Sequence, residues 1–121
     1  MRANFGFGAL ASRGGQRVLY IIYQEDRDDG AAIRAANKEQ HFAYLERHRD
    51  ILVLGGALLA DDGIARIGSC LILNVASRAQ AEEFSRNEPF RKAGLFKSVK
   101  ITRMRRGQWN PAAAPKTAEG N

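Results

Sequence analysis

Apolar residues alternate with one another and with polar ones in four short stretches, and two further stretches carry helix-forming residues at helical spacing. Residues 17–24 contain Val18-Leu19-Tyr20-Ile21-Ile22-Tyr23, a β-branched and aromatic run that predicts a strand. Residues 25–30 are polar and turn-like. Residues 31–48 are rich in Ala, Glu, Lys, Arg and Leu and predict a helix. At about 100° per residue, Arg34, His41, Leu45 and His48 share one stripe of that helix, flanked by Ala35 and Phe42 on one side and Tyr44 on the other. His41 thus points along the buried margin, with Arg34 about 10 Å away on the same side. Residues 51–59 predict a second strand, in which Gly55 and Gly56 signal a bulge or a close backbone approach. Asp61-Asp62-Gly63 is a turn signal. Residues 68–75 predict a third strand, antiparallel to the second. Ser77 caps a helix over residues 78–86, with Gln80 placed for a capping box. Pro89 ends that helix, residues 87–96 form a structured turn, and residues 98–106 predict the last strand.

The order is β-α-β-β-α-β, the ferredoxin-like arrangement of the α+β class: an antiparallel four-stranded sheet with two helices on one face. Helices cover only one face of such a sheet, yet the strands are apolar on both. Leu19, Ile21 and Tyr23 alternate with Val18, Tyr20 and Ile22, and Leu71 and Leu73 with Cys70 and Ile72. An uncovered apolar face of that size predicts a second copy packed sheet to sheet, a homodimeric α+β barrel.

The chain of 121 residues is long enough for one modest core. Residues 17–106 are expected to form the domain, after a flexible arm over 1–16 and before a loose tail over 107–121 in which Trp109 alone is a candidate to dock. The arm has neither a clear period nor a secretory apolar region, though its arginines and lack of acids also fit a transit peptide. Gly6-Phe7-Gly8-Ala9-Leu10-Ala11 matches the dinucleotide fingerprint formally, but no strand precedes it, and it is discarded. No apolar run is long enough to cross a membrane, and a single cysteine, Cys70, excludes an internal disulfide; both lead to a cytoplasmic expectation. Cys70 sits in an apolar run and reads as a small hydrophobe rather than a nucleophile.

The formal net charge of +6 admits anionic partners, including nucleic acid. RNA-recognition modules share this element order but need stacking aromatics on their central strands. Ser69-Cys70-Leu71-Ile72-Leu73 has none, and a dimer would bury that face, so nucleic acid is not the expected partner. One cysteine and two histidines spaced by seven residues do not make a helical zinc pair, and no metal is expected. What chemistry there is lies in a titratable imidazole, His41, and the carboxylate-bearing turn Asn87-Glu88-Pro89-Phe90-Arg91-Lys92-Ala93-Gly94-Leu95-Phe96. These are the minimal parts of an acid–base site.

The segments Arg34…Glu39-Gln40-His41-Phe42-Ala43-Tyr44-Leu45, Leu54-Gly55-Gly56-Ala57-Leu58-Leu59, Asp61-Asp62-Gly63, Gly68-Ser69-Cys70-Leu71-Ile72 and Glu88-Pro89-Phe90…Ala93-Gly94-Leu95-Phe96 together resemble the YciI-like (YCII-related) family. The resemblance implies a dimeric ferredoxin-like barrel, related in shape to muconolactone isomerase, and a site built on a histidine and an aspartate. The histidine falls on His41 and the aspartate on Glu88, where this chain carries the longer acid; Ala57 stands where the family's strand has proline, and Lys38 where its helix has a second arginine. At least one relative resembles a dehydrochlorinase of a chlorinated hydroxyquinol. On this reading the chain is a cofactor-free isomerase or lyase acting on a small, anionic cyclic compound. His41 is its acid–base residue and Glu88 orients the ring, while Arg34 and Ser69 contact the substrate in a pocket between helices and sheet. The alternative is a non-catalytic ligand-sensing or accessory module in which His41 and Glu88 are structural.

Overall fold

The computed structural model describes residues 16–121. Strand β1 (Val18–Asp26) leads to helix α1 (Gly30–Arg47), strands β2 (Leu52–Leu59) and β3 (Arg66–Val75), helix α2 (Arg78–Asn87), a short helix α3 (Pro89–Lys92) and strand β4 (Phe96–Met104). The four strands form one antiparallel sheet in the order β2-β3-β1-β4. This is the ferredoxin-like α+β arrangement. The formal dinucleotide match at residues 6–11 and nearly all of the N-terminal arm lie outside the described residues.

Antiparallel pairing puts directly opposed residues on the same face of the sheet. On the helix-covered face, Tyr20, Ile22, Leu71, Leu73 and Val75 are buried and pack with Tyr44, Ala81 and Phe84 from the helices. On the other face, Leu19, Ile21, Cys70 and Ile72 are half-buried, while Tyr23, Leu54 and Met104 are exposed. The alternation therefore resolves into one covered and one uncovered apolar face.

Local signals set the element ends. Ser77 accepts the Gln80 backbone N–H at 3.2 Å. The Gln80 side chain reaches back to the N–H of Ala76 rather than that of Ser77, a capping box displaced by one residue. In the β2–β3 turn, Asp62 accepts the N–H groups of Ile64 and Ala65 at 2.8 and 3.0 Å, which holds its carboxyl below the usual range. Gly63 there takes a φ of 73°, where a Cβ would be strained. Pro89 does not simply end a helix: it occupies the first turn of α3, where its missing N–H is no loss. The register of β2 breaks at Leu52/Leu54 and Leu58/Leu59, on either side of the glycine pair. Gly55 itself marks a close approach, since a Cβ there would lie 2.7 Å from Leu71 Cδ2. Beyond β4 the chain stays exposed, with a 3-10 turn at Pro111–Ala113. Trp109 does not dock on the sheet: it is 60% exposed, with the Arg106 guanidinium 5.4 Å from its ring centroid.

Gly68 carries a harder constraint. A Cβ built on it would sit 2.2 Å from the backbone oxygen of Gln24, which the sheet cannot move aside. Gly68→Ala is therefore expected to destabilise the protein by about 1–3 kcal/mol. Gly107→Ala, which meets nothing within 4 Å, should stay within about 0.5 kcal/mol. Urea denaturation of the two variants beside the parent checks this.

Candidate active site

Helix α1 turns a polar stripe inward. Gly30, Arg34, Asn37, His41, Tyr44 and His48 follow one another by four and three residues in alternation, the spacing of one helix face, and all six are buried or half-buried. Tyr44 is thus central to this face rather than a flank, and Phe42, expected beside the buried margin, is 56% exposed. An inward face of this composition cannot be held on the sheet by apolar burial. In keeping with that, α1 leans on α3 far more than on any strand.

His41 sits where α1 meets α3. Its Nδ1 pairs with Glu88 Oε2. Its ring stacks on Phe90, with centroids 3.9 Å apart and planes inclined by 11°. The same Glu88 oxygen accepts the Phe90 N–H at 3.2 Å, capping α3. Glu88 is 1% exposed, and its Oε1 is the one fully enclosed side-chain N or O atom without a hydrogen bond among the described residues. A carboxylate is an acceptor only, so the shared proton belongs on Nδ1; in the neutral ring Nε2 then carries the lone pair. No described residue hydrogen-bonds Nε2, and the His41 side chain keeps 11% of its surface. The arrangement can take a proton at Nε2 and return it, with the carboxylate fixing the tautomer and stabilising imidazolium.

The other two expected residues lie on the sheet side. Arg34 places its fork on Asp26, with Nε to Oδ2 at 2.6 Å and Nη2 to Oδ1 at 3.1 Å, and Nη2 also reaches the carbonyl of Gly68 at 2.8 Å. A bidentate grip on a substrate carboxylate is therefore already taken up within the protein; only Nη1 lacks a described partner. The guanidinium also lies 5.2 Å from the Phe90 centroid, so one ring bridges Arg34 and His41. Ser69 is buried on the helix face of β3, and its Oγ accepts from Gln24 Nε2 at 2.7 Å instead of from the β2–β3 turn. On that face of edge strand β2, opposite Leu71 and Ser69, stand Gly55 and Ala57, both exposed. Small residues there keep the helix-side edge of the sheet low and exposed.

Sequence reasoning brings His41 and Glu88 together across 47 positions but misses Gln24, Asp26 and Phe90. The available signal was two polar residues, Gln24 and Asp26, continuing the inward period of the first strand after Tyr20 and Ile22. A separate cavity of about 370 Å³ opens between Tyr23, Leu58, Arg66 and Lys97, and neither His41 nor Glu88 lines it. Among the described residues no group of His, Cys, Asp and Glu is placed to hold a metal ion, and no helix is long and apolar enough to cross a membrane.

Tyr44 anchors the C-terminal half of α1 by donating to the carbonyl of Phe84 at 2.9 Å. Burial, with the negative charge of Glu88, pushes its pKa up to about 12 from the model-peptide value of 10.0. Because the folded value is the higher one, the stabilisation is complete below pH 10 and is lost as pH rises from there towards 12. The thermal midpoint of the parent is expected to fall more steeply across that window than the midpoint of Tyr44→Phe. At neutral pH that variant should be destabilised by about 1 kcal/mol. Calorimetry at stepped pH checks both.

The solved 5-chloro-2-hydroxyhydroquinone dehydrochlorinase of Burkholderia phenoliruptrix, in complex with 2,5-dihydroxybenzoquinone, is 35% identical over 74% of this chain and 95% of its own, with a TM-score of 0.67. A Pseudomonas aeruginosa protein is 14% identical over 80% of this chain and all of its own, with a TM-score of 0.49. The hydroxynitrile lyase of Passiflora edulis is 10% identical over 79% and 98%, with a TM-score of 0.45. No curated protein matches the sequence significantly. Residues 18–105 match the YCII-related domain, and the chain belongs to that family.

Proposed function

We propose that this protein is a cofactor-free acid–base enzyme acting on a small, hydroxylated, anionic six-membered ring, by isomerisation or by elimination. The observation that carries the reading is the geometry of His41: Nδ1 is fixed on a buried carboxylate, the ring is clamped on Phe90, and Nε2 has no described partner. A histidine serving only the core would more commonly spend both nitrogens within it. In either reaction Nε2 accepts a proton from a hydroxyl or ring carbon of the substrate. In isomerisation His41 returns the proton to another ring position. In elimination the electrons released into the ring expel a leaving group such as chloride, so substrate becomes product plus HCl with no redox partner. The 35% identity to a dehydrochlorinase with a bound dihydroxyquinone supports rings of this class.

Within this reading Glu88 orients His41, Arg34 offers Nη1 to an anionic oxygen, and Ser69 lines the floor of the site. Arg34 is also structural, since its removal leaves the Asp26 carboxylate buried without its partner. The uncovered sheet face, with Leu54, Tyr23 and Met104 exposed on it, supports a homodimer joined sheet to sheet. The lone thiol of Cys70 suits the reducing cytoplasm as its compartment.

His41→Ala is expected to keep the circular dichroism spectrum of the parent and to lower turnover of 5-chloro-2-hydroxyhydroquinone by at least about 10³-fold. Glu88→Gln should lower it by about 10²-fold. Chloride release read with an ion-selective electrode measures both. Binding of 2,5-dihydroxybenzoquinone without chloride release from the chlorinated ring would point to the isomerase branch, and activity untouched by His41→Ala would overturn the reading. Sedimentation equilibrium at micromolar concentration should return twice the chain mass; a stable monomer would overturn the dimer.

A further inference from the structure

Gln24 is a buried polar side chain that the dyad does not use. It stands between Ile22 and Asp26 on the helix face of β1 and is 2% exposed. Isoleucine at 22 shows what the core asks of this face, and an amide in its place costs free energy unless its hydrogen bonds are made. Gln24 makes one, from Nε2 to Ser69 Oγ at 2.7 Å. The amide oxygen and second N–H of Gln24, and the hydroxyl proton of Ser69, have no partner among the described residues. Of these, the amide oxygen, an atom with no hydrogen bond, is not fully enclosed, since the sealed unpartnered atom among the described residues is Glu88 Oε1. The pair therefore keeps an unused acceptor that is not sealed off by its neighbours.

The pair lies on the helix-covered face of the sheet, beside the position that Arg34 of α1 reaches. Register puts Ala57, Ser69 and Gln24 in one row across β2, β3 and β1. The next residue along β3, Gly68, is held by Arg34 of α1 through its carbonyl. Ala57 is exposed at the outer end of the row, and its small side chain leaves the row open from the sheet edge. The pair is also adaptable. With Nε2 on Ser69 the outward atom is an acceptor; with the amide turned over, Ser69 donates to the amide oxygen and an N–H faces outward. Such a pair recognises a hydroxyl or a carbonyl equally.

We propose that Gln24, together with Ser69, is the specificity-determining element of this site, binding an oxygen substituent on the edge of the ring away from the one that meets His41. This deepens the acid–base reading and rests on it. Loss of one neutral hydrogen bond to a buried ring oxygen weakens binding by about tenfold, and only for rings that carry that oxygen.

The test is calorimetric titration of 2,5-dihydroxybenzoquinone and of 2-hydroxy-1,4-benzoquinone, which lacks one hydroxyl, into the parent and Gln24→Met. The parent should bind the dihydroxy ring more tightly than the monohydroxy one. Gln24→Met should lose about tenfold on the first and less than about threefold on the second, so that the preference disappears. If Gln24→Met does not fold, Ser69→Ala, which keeps Gln24 but removes its partner, must show the same loss of preference. If the parent binds both rings and either folded variant leaves the preference unchanged, this proposal fails and the acid–base reading stands. If the parent binds neither ring, both fail together.

Discussion

The structure depends on one buried carboxylate. Glu88 closes α2 as its C-terminal cap residue, opens α3 by accepting the Phe90 N–H, and holds His41 Nδ1 on the same oxygen. A buried acid is tolerable only when such bonds are made, and Oε1, which makes none, shows how little is spare. Helix joint and imidazole are therefore coupled. Any shift of α2 against α3 moves the atom that fixes the histidine tautomer, and any loss of the histidine removes one of the two hydrogen bonds to the buried Oε2. One oxygen of this glutamate caps its own short helix and reaches across to α1.

How α1 is held follows from the same economy of apolar contact. Apart from Tyr44, which joins the core, its inward stripe is polar, so it is tethered instead. Arg34 reaches Asp26 and Gly68, His41 reaches Glu88 and Phe90, and Tyr44 reaches Phe84. Three tethers spread along one helix hold it by hydrogen bonds, an ion pair and ring stacking.

The element order was legible because turn chemistry and strand-length apolar runs agree along the chain. Asp61-Asp62-Gly63, Ser77 and Pro89 each mark a boundary that backbone hydrogen bonding then fixes. Helical periodicity put His41 on the inner margin of its helix, the turn chemistry marked Glu88, and the family resemblance paired the two; the structure brings them into contact. The stripe drawn from Arg34, His41, Leu45 and His48 was nearly right in phase. It placed Phe42 too close to the core because an apolar residue on a helix was given to the inside, whereas this helix reserves its inside for polar groups. Gln24 lies within the expected strand but carries no motif that marks it as a site residue, and Asp26 falls in the stretch read as a turn; its pairing with Phe96 shows that the strand continues.

The covered face of the sheet changes character from one row to the next. Near Ile22, Leu71 and Leu73 the covered face is a conventional core under α2, with Tyr44 of α1 packed into it. One row further along, at Gln24 and Ser69, the same face turns polar beneath the N-terminal half of α1. Core and site are thus adjacent rows of one surface, so the rigidity of the first positions the second without a separate scaffold. The opposite face carries no buried polar network and keeps Leu54 and Tyr23 in solvent. In a protein this small the apolar area available for folding is limited, and giving part of the covered face to polar residues makes burial of the uncovered one by a partner correspondingly more valuable.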